Sequence, residues 1–267
     1  MTARTPRNPI FSHALAPAPR LLMRLALIPE LVDTLKNAPR RILEMGPGLG
    51  DLSMYIRSRF PDAEQVLMDI SEAGTARLRE RVAPHPAMSV LTGDFRDLGA
   101  GQHFDLLVAC EVFEHIEDDE SAFAAAHRLL NDGGYFLFSV PAHTRKWGPS
   151  DVYAGHFRRY EREALLAQFA RHGFTVEQTL SYGFPLTQML APAYKLYYAR
   201  LLTRAPLSMQ EATKRSGTER TLVQRFAKLP VATLMAPLFL AQRMVKHSTI
   251  GDGYLVLARK NTSAAHA

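Results

Sequence analysis

Arg41-Ile-Leu-Glu-Met-Gly-Pro-Gly-Leu-Gly-Asp-Leu-Ser53 passes from an apolar strand through a glycine-rich turn into the start of a helix, with an acidic residue, Glu44, on the strand. Glycine at 46, 48 and 50 lets the backbone turn sharply and approach a ligand with no Cβ in the way, while the amides opening the next helix point into the same space. Such a turn cradles a nucleotide-type ligand. Glu44 narrows the choice, because a carboxylate there is unfavourable beside a pyrophosphate and favourable beside a cation such as the ammonium of an amino-acid group. Alone, three alternate glycines also suit an ordinary strand-to-helix turn, so the rest of the chain has to decide.

Downstream, strand and helix patterns alternate. A helix is predicted at about 50–59, a short apolar strand at Gln65–Ile70 carrying Asp69, a helix at Glu72–Val82 and a strand at Met88–Leu91 leading to Gly93-Asp94-Phe95. Phe104–Cys110 is a continuous apolar run, as expected of a central parallel strand covered on both faces. It leads into Glu111-Val-Phe-Glu-His115 and a helix at about Asp119–Leu130, which Asn131-Asp-Gly-Gly134 should stop before a fifth strand at Tyr135–Val140. From Pro141 to Tyr160 the pattern dissolves into a loop long enough to be functional. Helix at about 161–172, strand at Phe174–Tyr182 and a closing strand at Asp252–Arg259 complete a doubly wound α/β sheet.

This order resembles the class I S-adenosylmethionine-dependent methyltransferases, over about 40–182 and again at 252–260. Glu44, Gly46, Gly48 and Gly50 look like that family's first motif, and Asp69 matches the acidic residue that binds the ribose hydroxyls, with Ile70 beside it. Asp94 matches the acceptor for the adenine amino group, and Phe95 the apolar wall of the base. Glu111 to His115 match the segment under the methionine portion. The resemblance implies S-adenosyl-L-methionine as cofactor and a Rossmann-like seven-stranded sheet with an antiparallel last strand. The residues agree independently: a sulfonium cofactor has no pyrophosphate, and Glu44, Asp69 and Asp94 end three successive strands. Each also has a plain alternative, Asp69 as a cap near Ser71 and Asp94 as part of its turn.

Methyl transfer is an in-line displacement with a good cationic leaving group, so the protein mainly positions the acceptor and excludes water. A base is needed only when the acceptor carries a proton. His115 and His156 are the candidate bases, His156 within Gly155-His-Phe-Arg-Arg-Tyr160, a segment resembling one before the penultimate helix in a branch of the family. His143, Trp147, Tyr160 and Tyr194 are candidate substrate contacts, with lid packing as their alternative. No metal is expected: Asp118 and Asp119 near His115 suit a helix N-terminus.

The chain has 267 residues, one cysteine and a net charge of +6, which fits one enlarged α/β domain in a reducing compartment. Cys110 should be a small buried side chain and not a nucleophile. The division expected is a basic N-terminal segment and helix at 1–39, a cofactor-binding core at 40–183, a helical cap at 184–247, a closing strand at 248–260 and a disordered tail at 261–267. The apolar run Leu21–Ile28 is interrupted by Arg24 and closed by Pro29, so it is read as a short amphipathic helix and not as a signal peptide or membrane span.

The positive charge is concentrated in one place. Residues 194–247 hold ten cations against Glu211 and Glu219, whereas the remainder holds 22 cations against 24 acids. Helical apolar spacing from Leu186 to Leu201 and the uncharged run Leu229–Ala241 with basic flanks suggest a cap over a hydrophobic or amphiphilic small-molecule or lipid acceptor, with an anionic membrane surface as a further partner. The expected location is cytoplasmic, or peripheral on the inner face of a membrane. Nucleic acid is disfavoured, because the cations lie among long apolar runs. Two other classes remain open: an NAD(P)-dependent oxidoreductase, against which Glu44 and the lack of a Tyr-x-x-x-Lys pair argue, and a non-catalytic cofactor-binding scaffold at a membrane surface.

Overall fold

The computed structural model describes residues 19–99, 101–204 and 235–262. The expected basic start, the middle of the cap and the end of the tail lie outside them. In chain order the strands are β1 (Arg41–Met45), β2 (Glu64–Asp69), β3 (Met88–Thr92), β4 (Phe104–Cys110), β5 (Leu130–Pro141), β6 (Phe174–Tyr182) and β7 (Gly253–Lys260). They form one seven-stranded sheet in the order β3-β2-β1-β4-β5-β7-β6. The pairs among β1 to β5 are parallel, and β7 runs antiparallel to both β5 and β6, as the resemblance implies. The chain winds outward from β1 to β3 and then restarts at β4 on β1's other side. Ligands of such sheets bind beyond the carboxyl ends of the strands at that reversal.

The helices are α1 (Pro19–Leu25), α2 (Ile28–Val32), α3 (Asp51–Arg59), α4 (Glu72–Val82), α5 (Asp119–Leu129), α6 (Pro149–Ala154), α7 (Arg162–Arg171), α8 (Leu186–Arg204) and α9 (Ala236–Val245). Alternate strand residues face opposite layers. Ile42, Leu106 and Leu137 pack with Leu25, Ile28 and Leu31 of the N-terminal helices, while Leu43, Leu107 and Phe136 pack with Phe123 of α5 and Phe169 of α7. Phe113 sits in the second layer, edge-on to Phe123 at 4.9 Å and to Phe138 at 5.0 Å between ring centroids. Such pairs add about 0.5–1.5 kcal/mol each beyond the area they bury.

Three expectations change. Asn131–Gly134 does not end a turn before β5; it lies inside the strand, where pairing shifts from Phe104–Leu130 to Leu106–Tyr135. The loop at 141–160 contains a 3-10 turn at Thr144–Lys146 and the helix α6. The run 21–28, expected as one short amphipathic helix, is divided between α1 and α2, with Leu22, Met23, Leu25, Leu27 and Ile28 all buried and Arg24 turned toward the sheet's carboxyl end.

Candidate active site

The turn after β1 is built as its glycines require. Gly46, Gly48 and Gly50 have φ of +61°, +57° and +77°, a left-handed conformation that side chains disfavour. Space is also closed at two of them: a Cβ on Gly46 would lie 2.7 Å from Val112 Cγ2, and one on Gly50 2.7 Å from Leu78 Cδ1. The first contact brings the segment after β4 directly against the glycine turn.

The acidic residues that end the strands stand in different surroundings. Glu44 is 3% exposed, with Gln65 Nε2 donating to its Oε2 at 3.4 Å, and burial pushes its carboxyl up to about 7, only partly offset by Ser53 and Gln65. Asp69 accepts the Ser71 amide at 2.8 Å and is raised by burial, while the cap of α4 is Ser71 itself, whose hydroxyl accepts from the Gly74 amide at 3.2 Å. Ile70 beside it is 49% exposed, an apolar surface at the strand tip. Asp94 takes the Arg96 amide at 2.9 Å and grips its guanidinium at 2.6 Å; burial would raise its carboxyl, but Arg96 prevails and lowers it. Phe95 is buried, stacked on Phe113 at 6.0 Å.

At the tip of β4, Glu111 adopts φ +61°, an uncommon conformation for a residue with a side chain and one that clusters at functional sites. Two guanidiniums hold it. Arg20 of α1 approaches Oε2 at 3.1 Å and Arg24 approaches Oε1 at 3.7 Å, while the Tyr182 hydroxyl donates to Oε1. Burial alone would raise this carboxyl; Arg20 and Arg24 outweigh it and bring it down to about 2. Arg24 also influences Glu44 and Cys110, so a single residue of α1 serves the ends of β1, β4 and, through Ser139 at 3.4 Å, β5. Neither arginine was among the sequence candidates. The signal available was the charge breaking the apolar run at position 24.

Three residues on, Glu114 is completely buried, and among the described residues neither carboxyl oxygen has a hydrogen-bond partner; burial and the nearby Glu111 charge raise it well above the usual carboxylate range. It lies against both candidate bases. The His115 and His156 rings meet edge-on at 4.7 Å, and His156 Nε2 is 3.9 Å from Glu114 Oε1. His115 Nδ1 pairs with the Gly155 carbonyl at 3.2 Å, and His156 Nδ1 with Asp151 Oδ1 at 3.0 Å. Burial, then His156, pushes His115 down to about 4. Arg159 donates to Asp151 at 2.8 Å and to Asp252 at 3.3 Å, lacing this corner to the start of β7.

The expected substrate contacts divide. Tyr160 is corrected: its ring is in the core and its hydroxyl donates to Asp119 Oδ2 at 2.8 Å, which leaves no surface for a substrate. His143 is likewise buried, with Nε2 on the Thr249 carbonyl at 2.6 Å, and serves to tie the loop after β5 to the chain before β7. Trp147 is 43% exposed beside α6. Tyr194 is half-buried on α8 beside Tyr198; burial raises its hydroxyl and Arg20 pulls it back. Asp118 caps α5 through the Ser121 amide at 3.1 Å, and Asp119 pairs with Arg158 and Tyr160.

The description of a methyltransferase domain matches residues 13–179 of this sequence, more than half of the chain. The chain belongs to the methyltransferase-domain family. Among curated relatives, this methyltransferase-domain chain is 28% identical over 177 residues to a malonyl-[acyl-carrier protein] O-methyltransferase of Methylococcus capsulatus, covering 62% of this chain and 64% of that one. It is 29% identical over 104 residues to a trans-aconitate 2-methyltransferase of Acidovorax, 39% of each chain. The chain spans between about a third and two thirds of the length of such relatives. A solved S-adenosylmethionine-dependent methyltransferase of Mesorhizobium loti shares the fold with a TM-score of 0.56 at 17% identity, over 88% of this chain and 98% of that one. The family's cofactor is S-adenosyl-L-methionine. The three left-handed glycines, closed to any Cβ at 46 and 50, form a backbone cradle that fits it. No helix among the described residues is long and apolar enough to cross a membrane.

Proposed function

We propose that this chain is an S-adenosyl-L-methionine-dependent methyltransferase acting on an O or N atom of a hydrophobic or amphiphilic small molecule or lipid. The observation that supports this reading is the approach of Val112, the residue after Glu111 and two before Glu114, to Gly46, where a Cβ would lie 2.7 Å from Val112 Cγ2. When bound, the sulfonium supplies an activated methyl group and a neutral thioether leaving group. Glu44 would face the ammonium, Asp69 the ribose diol, and Asp94 with Ile70 and Phe95 the adenine. His115, neutral at physiological pH, would accept a proton from the acceptor, with Glu114 and His156 behind it. The name of the Methylococcus relative supports oxygen over nitrogen.

The amphiphilic acceptor rests on the cap. Met189 is 67% exposed, Leu240 64% and Met244 81%, and Arg243 lies between the last two along α9. Apolar side chains beside cations suit a molecule with a hydrophobic body and an anionic head, and an anionic membrane surface as the place where it is met. Transfer of labelled methyl to cell extract, fractionated into lipid, small-molecule, protein and RNA pools, tests the function, with label expected in the first two. Label confined to protein or RNA overturns the acceptor class, and failure to bind S-adenosylhomocysteine overturns the enzyme itself. If the protein ignores anionic liposomes and loss of residues 206–228 leaves turnover of a lipid acceptor intact, the membrane part fails.

A further inference from the structure

We infer that Glu114, His115 and His156 form a binding site for one divalent transition-metal cation at the acceptor side of the cofactor cradle. One ligand atom from each residue lies within 4.8 Å of the others. Around a tetrahedral ion with bonds of about 2.1 Å, ligand atoms stand about 3.4 Å apart, so side-chain rotation alone would close the set.

Geometry alone would leave an ordinary buried cluster. The independent observation is Glu114, which has no exposed surface and, among the described residues, no hydrogen-bond partner for either oxygen. Buried carboxylates are paired, hydrogen-bonded or bound to metal, and an unpartnered one carries a desolvation penalty that a cation removes. The nearby guanidiniums form their ion pairs with other carboxylates, Arg20 with Glu111 and Asp252 and Arg24 with Glu111, although Arg20 Nε and Nη2 and Arg24 Nε have no hydrogen-bond partner among the described residues.

The outer shell also has the arrangement of a metal site. Asp151 accepts from His156 Nδ1 at 3.0 Å, and the Gly155 carbonyl accepts from His115 Nδ1 at 3.2 Å. In those tautomers the lone pair of each ring sits on Nε2, and an Nδ1–H held by a carboxylate or carbonyl is how metal-binding imidazoles are oriented. Arg159 fixes Asp151 in turn at 2.8 Å. Two imidazoles and one carboxylate favour zinc, cobalt, iron or manganese over magnesium or calcium.

The site rests on the proposed function only for its use. With the cation bound, an acceptor hydroxyl on it would ionise near neutral pH and release its proton to solvent, so the proton-accepting role of His115 proposed above would belong to the metal-free chain and the three side chains would be ligands in the metal-loaded one.

Chelator-treated full-length protein titrated with Co²⁺ alone tests the inference, read by its visible absorption band and by calorimetry. One Co²⁺ per chain is expected, with affinity lowered at least about tenfold by Glu114→Gln, by His115→Asn and, through the outer shell, by Asp151→Asn. Circular dichroism identifies any variant that fails to fold, and the half-buried His115 is the safest of the three to change. Absence of stoichiometric Co²⁺ binding to the unaltered protein overturns the site, as does binding that all three folded variants retain. Calorimetry of S-adenosylhomocysteine on the same metal-free protein tests the methyltransferase reading separately, so either can fail without the other.

Discussion

Val112 Cγ2 stands where a side chain on Gly46 would begin, 2.7 Å from the position of its Cβ. The two strand ends that frame the cofactor cradle are therefore packed to the limit that glycine allows. Gly46→Ala meets both this contact and a φ of +61°, and is expected to cost about 1–2 kcal/mol of stability and at least tenfold in S-adenosylmethionine affinity. Adding Val112→Ala should relieve the clash and leave the backbone strain, restoring part of the melting temperature and less of the binding.

Glu111 should contribute to stability in a pH-dependent way. Its carboxyl falls from an ordinary value of 4.5 to about 2 in the folded chain, so its stabilisation is present above pH 4.5 and lost as pH falls through about 2. The ceiling on that contribution is about 3 kcal/mol. Glu111→Gln should flatten the acid limb of the unfolding curve over that window, as measured by urea denaturation at a series of pH values.

Glu44 has the opposite sign. Its carboxyl rises from 4.5 to about 7 on folding, so stability is greatest below pH 4.5 and falls as pH rises through about 7, again by at most about 3 kcal/mol. Glu44→Gln should stabilise the ligand-free protein at pH 8 while weakening binding of S-adenosylhomocysteine. A variant that binds as tightly as the parent would remove Glu44 from the cofactor's ammonium.

Tyr160→Phe separates a packing role from a substrate role. Loss of the hydroxyl bond to Asp119 should lower stability by about 1.5–3 kcal/mol, since the acceptor is charged. KM for the acceptor should not change once the protein is folded.

The cap predicts a change confined to the acceptor. Replacing Met189, Leu240 and Met244 by Gln should leave the melting temperature within about 1 °C, because each is mostly exposed. Turnover of an amphiphilic acceptor at subsaturating concentration should fall several-fold, with cofactor affinity unchanged.

Much of the sheet could be read in advance because a parallel strand covered on both faces is a continuous apolar run with sharp ends. Phe104–Cys110 coincides with β4 for that reason, whereas Phe174–Tyr182 coincides with β6 as an edge strand paired antiparallel with β7. β5 began earlier than expected because an irregular pairing lets Asn131–Gly134, all turn-forming residues, remain in the strand. In the site, the glycines were legible since their conformation follows from having no side chain. Glu114 was not: a carboxylate one residue before a candidate base looks like any surface acid until its burial is known. Tyr160 and His143 were misplaced for the same reason, since an aromatic or imidazole in a loop carries no sign of whether its polar atom is already engaged by Asp119 or Thr249.

Arg20 and Arg24 grip Glu111 from a helix that precedes the first strand by some twenty residues in sequence. Residues 19–32, expected as a short amphipathic helix leading into the fold, thus hold the tip of β4 and cover the sheet with Leu25, Ile28 and Leu31. A chain shortened to begin at β1 would lose more than ballast. It would bare an apolar sheet face and leave the left-handed Glu111 with the Tyr182 hydroxyl but without its two guanidiniums.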